Sequence, residues 1–176
     1  MGLSYCAAVR QGMDPWNTHY HDTEYGFPLA TDDELFERLI LEINQAGLSW
    51  LTILKKREGF RRAYHGFRVD HVAAYGDPDR ARLLADPGII RNRLKINAAI
   101  ENARRLQTLG SFRKFLDSHA PRDRAAWTRL FKQTFVFTGG EIVNEFLLST
   151  GYLPGAHDPD CPVYHRINDL TFARRR

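Results

Sequence analysis

The sequence predicts an all-α fold, and three observations carry that prediction. Apolar residues recur at three- and four-residue spacing through most of the chain, and helix-capping residues precede several of those runs. No stretch alternates polar and apolar residues at period two for more than four or five positions. A length of 176 residues suits one domain, or two closely packed subdomains, and no repeat or low-complexity segment interrupts it.

The first strong element opens at Thr31-Asp32-Asp33-Glu34, where Thr31 as N-cap and Glu34 three residues later form a capping box. Leu35, Phe36, Leu39, Ile40 and Ile43 then share one helical face. Gly47 interrupts this helix, and Ser49 caps a second that carries Leu51, Ile53 and Leu54 and ends in Lys55-Lys56-Arg57. Acids at the start of the pair and bases at its end are placed as the helix dipole favours. Phe60 to Phe67 and Val69 to Tyr75 read as two short helical segments. Asp77-Pro78 starts another, which stops at Asp86-Pro87-Gly88. After the short hairpin Ile89-Ile90-Arg91-Asn92-Arg93, an amphipathic helix carries Ile96, Ala99, Ile100, Ala103 and Leu106. A helix from about Ser111 to Ser118 precedes a polar stretch around Pro121 to Arg124. The last helix begins near Thr138-Gly139-Gly140, carries Ile142, Val143, Phe146 and Leu147, and ends at Gly151 and Pro154-Gly155. Both terminal segments read as poor in regular structure, because Gly12, Asp14-Pro15, Asp158-Pro159 and Pro162 punctuate them.

Composition narrows the function. With 43% hydrophobic residues the chain can bury a core, so global disorder is excluded. No apolar run approaches the ~20 residues that cross a bilayer, and Met1 to Cys6 lacks the basic and apolar regions of a secretory signal. A cytoplasmic protein is the expectation. The net charge of +4 is compatible with a nucleic-acid partner but too small to argue for one. Its distribution says more, since bases gather at Lys55-Lys56-Arg57, Arg61-Arg62, Arg91-Asn92-Arg93, Arg104-Arg105 and Arg174-Arg175-Arg176.

Three constellations carry chemistry. Cys6 and His21 near one end, with His157 and Cys161 near the other, supply the two thiolates and two imidazoles of a closed tetrahedral zinc site. A shared ion would tie down two termini that otherwise fray. Two free thiols with ordinary surface histidines are the alternative, and His19 and His165 are competing ligands. Second, the hairpin from Pro87 to Arg93 exposes backbone N–H groups at a helix start, with Arg91, Arg93 and Lys95 nearby. That combination suits a phosphate, and a solvated helix connection is the alternative. Third, Glu42 lies between Leu41 and Ile43 near the end of an apolar helix, where a carboxylate needs a partner or a task. Trp50, Tyr20, Tyr25 and Trp16 are aromatic candidates for the same neighbourhood. Such a pocket suits a flat cationic ligand; a core Trp and a Glu paired with arginine are the alternative.

Taken in order, Tyr20-His21-Asp22, Glu24-Tyr25-Gly26, Leu41-Glu42, Gln45-Ala46-Gly47-Leu48-Ser49-Trp50, Leu54-Lys55-Lys56-Arg57, Gly88-Ile89-Ile90-Arg91-Asn92-Arg93 and Phe135 to Gly139 resemble the 3-methyladenine DNA glycosylase I (Tag) family. The resemblance runs from Cys6 to about Cys161. It implies a helix-hairpin-helix glycosylase fold, with the hairpin motif at about residues 78–107 in a single unit of two packed helical subdomains. It implies one structural zinc held by Cys6, His21, His157 and Cys161, joining segments 1–30 and 151–176. Glu42 would be the catalytic residue, in a base pocket with Tyr20, Trp50, Tyr25 and Trp16. Gln45, Gly47 and Leu48 would probe the gap left by a flipped base, and Gly88, Ile90, Arg91, Arg93 and Lys95 would hold DNA phosphates. The implied activity is hydrolysis of the N-glycosidic bond of 3-methyladenine in double-stranded DNA by a monomeric, monofunctional enzyme with no membrane partner.

The sequence also departs from the family pattern. Ala8 stands where a Trp is usual, Asn17 where a Tyr is usual, and Tyr25 where a Trp is usual. Ile43-Asn44 replaces a smaller pair, and Leu94 takes a Gly position in the hairpin. These departures predict less aromatic surface in the pocket and a stiffer DNA-contacting turn. The alternative function they raise is a substrate-shifted or catalytically weak paralogue that binds damaged or abasic DNA.

Overall fold

A computed structural model describes residues 3–174, and every regular element among them is helical. In chain order these are α1 (Tyr5–Arg10), α2 (Pro15–Thr23), α3 (Asp32–Gln45), α4 (Trp50–Ala63), a 3-10 turn (His65–Phe67), α5 (Val69–Ala73), α6 (Asp77–Ala85), α7 (Arg93–Leu109), α8 (Phe112–His119), α9 (Arg124–Thr134), α10 (Gly140–Ser149) and α11 (Pro162–Arg174). None is long and apolar enough to cross a membrane. Arg175 and Arg176 of the basic tail lie outside the described residues.

α3 is the axis of the fold. The Thr31 hydroxyl accepts from the Glu34 N–H at 3.2 Å while Glu34 accepts from the Thr31 N–H at 2.8 Å, so the capping box starts the helix as its sequence dictates. Leu35, Phe36, Leu39, Ile40 and Ile43 are buried in one large core that continues through α4, α7, α8, α9 and α10. α3 packs directly on α4, α7, α8 and α10. Two smaller clusters adjoin this core. One joins Cys6 to Cys161 and Val163; the other joins Tyr20, Tyr25 and Leu54, with Trp50 and Tyr5 packed against it.

The structure corrects the sequence reading at three places. The termini are helical, because Pro15 and Pro162 start helices, where a missing N–H costs nothing, rather than break them. α9 fills a stretch to which the sequence reading assigned no element; Asp123 caps it, and Trp127 and Phe131, four residues apart, bury its apolar face. α4 runs unbroken through Gly59 to Ala63 instead of ending at Arg57. Gly59 is there for contact, not for a break, since a Cβ at this position would sit 2.3 Å from the Gly88 carbonyl oxygen.

Candidate functional site

Four donors meet where α1, α2 and the segment before α11 converge. Cys6 Sγ lies 3.2 Å from His21 Nε2 and 3.5 Å from His157 Nδ1, and the two ring nitrogens are 3.2 Å apart. Cys161 Sγ closes the set at 3.9 Å from His21 Nε2 and 3.8 Å from His157 Nδ1. All four residues are buried, both cysteines are free thiols, and the group could hold a metal ion. The remaining ring nitrogens are spoken for: His21 Nδ1 meets Asp22 Oδ1 at 2.8 Å, and His157 Nε2 meets the Tyr25 carbonyl at 2.7 Å. Those partners aim the inner nitrogens at one point, as outer partners of metal-ligating histidines do. Burial, helped by the neighbouring Cys161 thiol, pushes the Cys6 thiol up to about 11, and burial, helped by His21, holds His157 below its ordinary value. His19 and His165 are exposed and take no part in the cluster.

A cavity of about 430 Å³ lies beside this cluster, lined by Tyr5, Met13, Asn17, Tyr20, Tyr25, Glu42, Gln45, Trp50 and Glu145. The cluster sets three of its walls: Tyr5 precedes Cys6, Tyr20 precedes His21, and Tyr25 holds His157 through its carbonyl. Tyr20 and Trp50 rings meet at 5.1 Å, Tyr20 and Tyr25 at 5.8 Å, and Tyr5 abuts Tyr25 edge-on at 5.3 Å. Buried Arg38 orients Tyr20 by donating to its hydroxyl at 2.9 Å, and also donates to the Ser149 carbonyl at 3.1 Å. Burial, with nearby carboxylates, holds the phenols of Tyr5, Tyr20 and Tyr25 far above the ordinary tyrosine range, so they serve as neutral walls and hydroxyl donors.

Glu42 is 4% exposed, and among the described residues no donor bonds its carboxylate. Burial raises its pKa to about 8; Arg38 opposes that shift and Glu145 adds to it. Burial therefore disfavours the carboxylate form of Glu42 at neutral pH.

Not every expected pocket residue is here. Trp16 is 51% exposed and lines a neighbouring cleft with His19, Arg57 and Arg61, because it sits on the outer face of α2. Ala8 does not line the cavity, whereas Tyr5, one turn earlier on the same helix, does and replaces aromatic surface that the sequence pattern had lost. Its hydroxyl donates to the Asn17 carbonyl at 3.0 Å, and Asn17 in turn is pinned by Asp14 at 2.7 Å.

The turn after α3 borders the cavity through Gln45. Gln45 Nε2 donates to the Leu48 carbonyl at 3.0 Å, Gly47 adopts φ +82°, and Leu48 is left 38% exposed at the tip. Ile43 and Asn44 do not stiffen this turn, since both are buried within α3; Asn44 donates to the Ile40 carbonyl at 2.8 Å. The α6–α7 connection stands on the same side. Asp86 accepts from the Gly88 N–H at 2.7 Å, Ile90 is half-buried, and Asn92 caps α7. Arg91, Arg93 and Leu94 are exposed. Lys95 is not: it is 6% exposed and donates to the Asn44 and Ala46 carbonyls at 2.8 and 2.7 Å. Lys95 thus fastens the hairpin to the turn, with two of its three ammonium donors engaged by carbonyls. Arg57 is likewise committed, with a two-pronged contact to Glu24 at 2.7 and 2.6 Å and a bond to Glu37 at 3.0 Å.

Sequence reasoning missed Tyr5, Arg38 and Glu145. Arg38 carried a signal, four residues before Glu42 on the buried face of one helix. Glu145 carried none, as it reaches the cavity only through the packing of α10 on α3.

Fold and site together define an all-helical protein whose acidic, aromatic cavity suits a flat cationic heterocycle, bordered by an apolar-tipped turn and a basic hairpin. Residues 10–133 match the family model described as methyladenine glycosylase. DNA-3-methyladenine glycosylase 1 of Escherichia coli (strain K12) is 38% identical over 185 residues, covering 92% of this chain and 97% of that one. DNA-3-methyladenine glycosylase of Haemophilus influenzae is 35% identical, over 81% of this chain and 89% of that one. Among solved structures, 3-methyladenine DNA glycosylase I (TAG) from Staphylococcus aureus superposes with a TM-score of 0.78 at 33% identity, covering 92% of this chain and 97% of that one. The chain belongs to the methyladenine glycosylase family.

Proposed function

We propose that this protein is a monofunctional DNA glycosylase that releases 3-methyladenine from alkylated double-stranded DNA. The observation that carries the reading is the buried Glu42 carboxyl, bonded by no protein donor among the described residues, in a cavity walled by Tyr5, Tyr20, Tyr25 and Trp50. The relatives named for 3-methyladenine support the same substrate.

N3-methylation makes the adenine nucleoside cationic. Flipped from the stack, that base would place its charge against Glu42, and the opposite charge favours the carboxylate that an empty cavity suppresses. A neutral adenine gains no such pairing and leaves a buried acid unmatched. The tyrosines and Trp50 add stacking and cation–π attraction. The C1′–N9 bond then breaks with its electron pair going to the base, which departs neutral. Water adds its oxygen to C1′ and gives a proton to solvent, leaving an abasic site. No lysine lines the described cavity to form a Schiff base, and Lys95 is held by two carbonyls.

The Gln45–Leu48 turn fills the gap in the duplex with exposed Leu48 as its wedge. Gly88, Ile90 and the exposed Arg91 and Arg93 hold the backbone, within a helix-hairpin-helix motif at about residues 78–107. The whole chain works as one unit of two packed helical halves, acting as a monomer in the cytoplasm. The metal is zinc, one per chain, held by Cys6, His21, His157 and Cys161. A tetrahedron with Zn–S of ~2.3 Å and Zn–N of ~2.0–2.1 Å has edges of about 3.3–3.8 Å, and the five sulfur–nitrogen and nitrogen–nitrogen separations of 3.2–3.9 Å fit it. Bound there, a zinc ion would cross-link the two terminal segments, and with four protein ligands it would have no open position for water.

Purified protein incubated with duplex DNA bearing a panel of alkylated bases, with the released bases separated chromatographically, tests the substrate. The reading expects 3-methyladenine as the dominant product. Release mainly of another base, or none above buffer, contradicts it; the first result would favour the substrate-shifted alternative raised by Asn17 in the cavity wall.

A further inference from the structure

The glycosylase reading needs one carboxylate, yet the cavity holds two. Glu145 lines the same space as Glu42. It projects from α10, whose inner face packs Val143, Phe146 and Leu147 into the core beside α3. Two donors fix it there: the Tyr25 hydroxyl reaches Glu145 Oε2 at 3.2 Å, and the Asn144 amide reaches Oε1 at 3.2 Å. Neither donor carries a charge, and among the described residues no lysine or arginine pairs with Glu145. Arg38, the cation nearest in its effect on Glu42, is already spent on Tyr20, Ser149 and Glu24. The field of Glu145 disfavours the ionised form of Glu42, so the two carboxyls interact.

Two acids facing one half-enclosed cavity repel when both are ionised, unless a cation sits between them. This chain keeps the arrangement and holds the second acid in place with a cavity-wall tyrosine. We propose that Glu145 is a specificity-determining residue of the cavity, a second anionic contact that raises selectivity for a positively charged purine over a neutral one. It rests on the glycosylase reading and sharpens it: Glu42 alone would accept a cation, whereas the pair penalises the cavity when no cation comes. Glu145 also sets the ring of Tyr25, so charge and wall position are coupled through one hydrogen bond.

Glu145→Gln removes the charge, keeps the volume and leaves an amide oxygen to accept from Tyr25. Wild type and Glu145→Gln are compared for release of 3-methyladenine from methylated duplex DNA, for binding of the fixed cation 3,9-dimethyladeninium and of neutral 9-methyladenine by tryptophan fluorescence, and for affinity to abasic duplex. The expected result is about a tenfold loss in kcat/KM, carried mainly by KM, and a narrower preference for the 3,9-dimethyladeninium cation over neutral 9-methyladenine. Abasic-duplex affinity and melting temperature stay at the wild-type values, and Glu145→Asp recovers part of the loss. A Glu145→Gln protein as selective and as active as wild type overturns the inference while leaving the glycosylase reading intact. Equal losses in activity, abasic binding and melting temperature also overturn it, because they describe a structural role. A wild type that releases no base sinks the functional reading itself and this inference with it.

Discussion

At the scale of single residues, burial decides what each charge does. Glu42 holds its proton to about pH 8 in the folded protein against an ordinary value of 4.5. Between those values the folded state binds more protons than the unfolded chain, so the contribution of Glu42 to stability falls as pH rises through that window. Glu42→Gln should therefore raise the melting temperature more at pH 8 than at pH 5, by several degrees; a shift of equal size at both pH values would contradict the burial account. Lys95 shows the opposite surprise. Its sequence neighbourhood, with Arg91 and Arg93 on the same hairpin, reads as phosphate-binding, but the first turn of α7 rotates Lys95 inward onto two α3-end carbonyls. Lys95→Met should cost roughly 2 kcal/mol of stability through the unsatisfied carbonyls and leave the salt dependence of DNA binding unchanged. Arg91→Ala and Arg93→Ala should each lower that salt slope by about one while stability holds. Loss of slope in Lys95→Met would show that its ammonium reaches DNA. A run of like charges cannot reveal which member faces inward, because helical phase at a cap sets that.

Elements were legible where caps and apolar periodicity agreed. The capping box at Thr31, the Ser49 cap and the apolar stripe from Ile96 to Leu106 mark α3, α4 and α7 in the sequence as in the structure. These helices carry or position Glu42, Trp50 and the hairpin, so the centre of the site was readable. The terminal helices were not, since proline and glycine signal a break and a helix start with the same letters. Gly59 was ambiguous for a related reason: its function is a backbone contact with Gly88, which no local pattern encodes. Gly59→Ala should push α4 off the hairpin and destabilise the fold by about 1–3 kcal/mol, as forced overpacking does. Denaturant unfolding measures this, and an unchanged midpoint would mean that the two backbones do not meet.

Across the whole molecule, the N-terminal segment, α3, α4 and α10 wall the cavity, and the cluster beside it draws on both terminal segments. Cys6 and Cys161 could be read from sequence as donors, but their meeting with His21 and His157 follows from tertiary packing, as do the roles of Tyr5 and Glu145. Ser4 donates to Asp158 and Arg10 pairs with Asp160 at 2.8 Å, so polar contacts flank the cluster, yet among the described residues only the four donors converge inside it. Purified protein should contain one zinc per chain. Cys161→Ala should lose it and melt at lower temperature, because metal binding adds to folding free energy; stoichiometric zinc retained in that variant would disprove the ligand set. Since Tyr5, Tyr20 and Tyr25 are tied to the same cluster, the variant should also bind free base more weakly. The central claim, that this cavity recognises and releases a cationic base through Glu42, is tested most directly by the single-turnover rate of 3-methyladenine release from methylated duplex DNA, measured side by side for wild type and Glu42→Gln. The structure predicts clear release by wild type and a rate lower by about a hundredfold in the variant, the scale for loss of a preorganised charge contact; equal rates in the two proteins would contradict it.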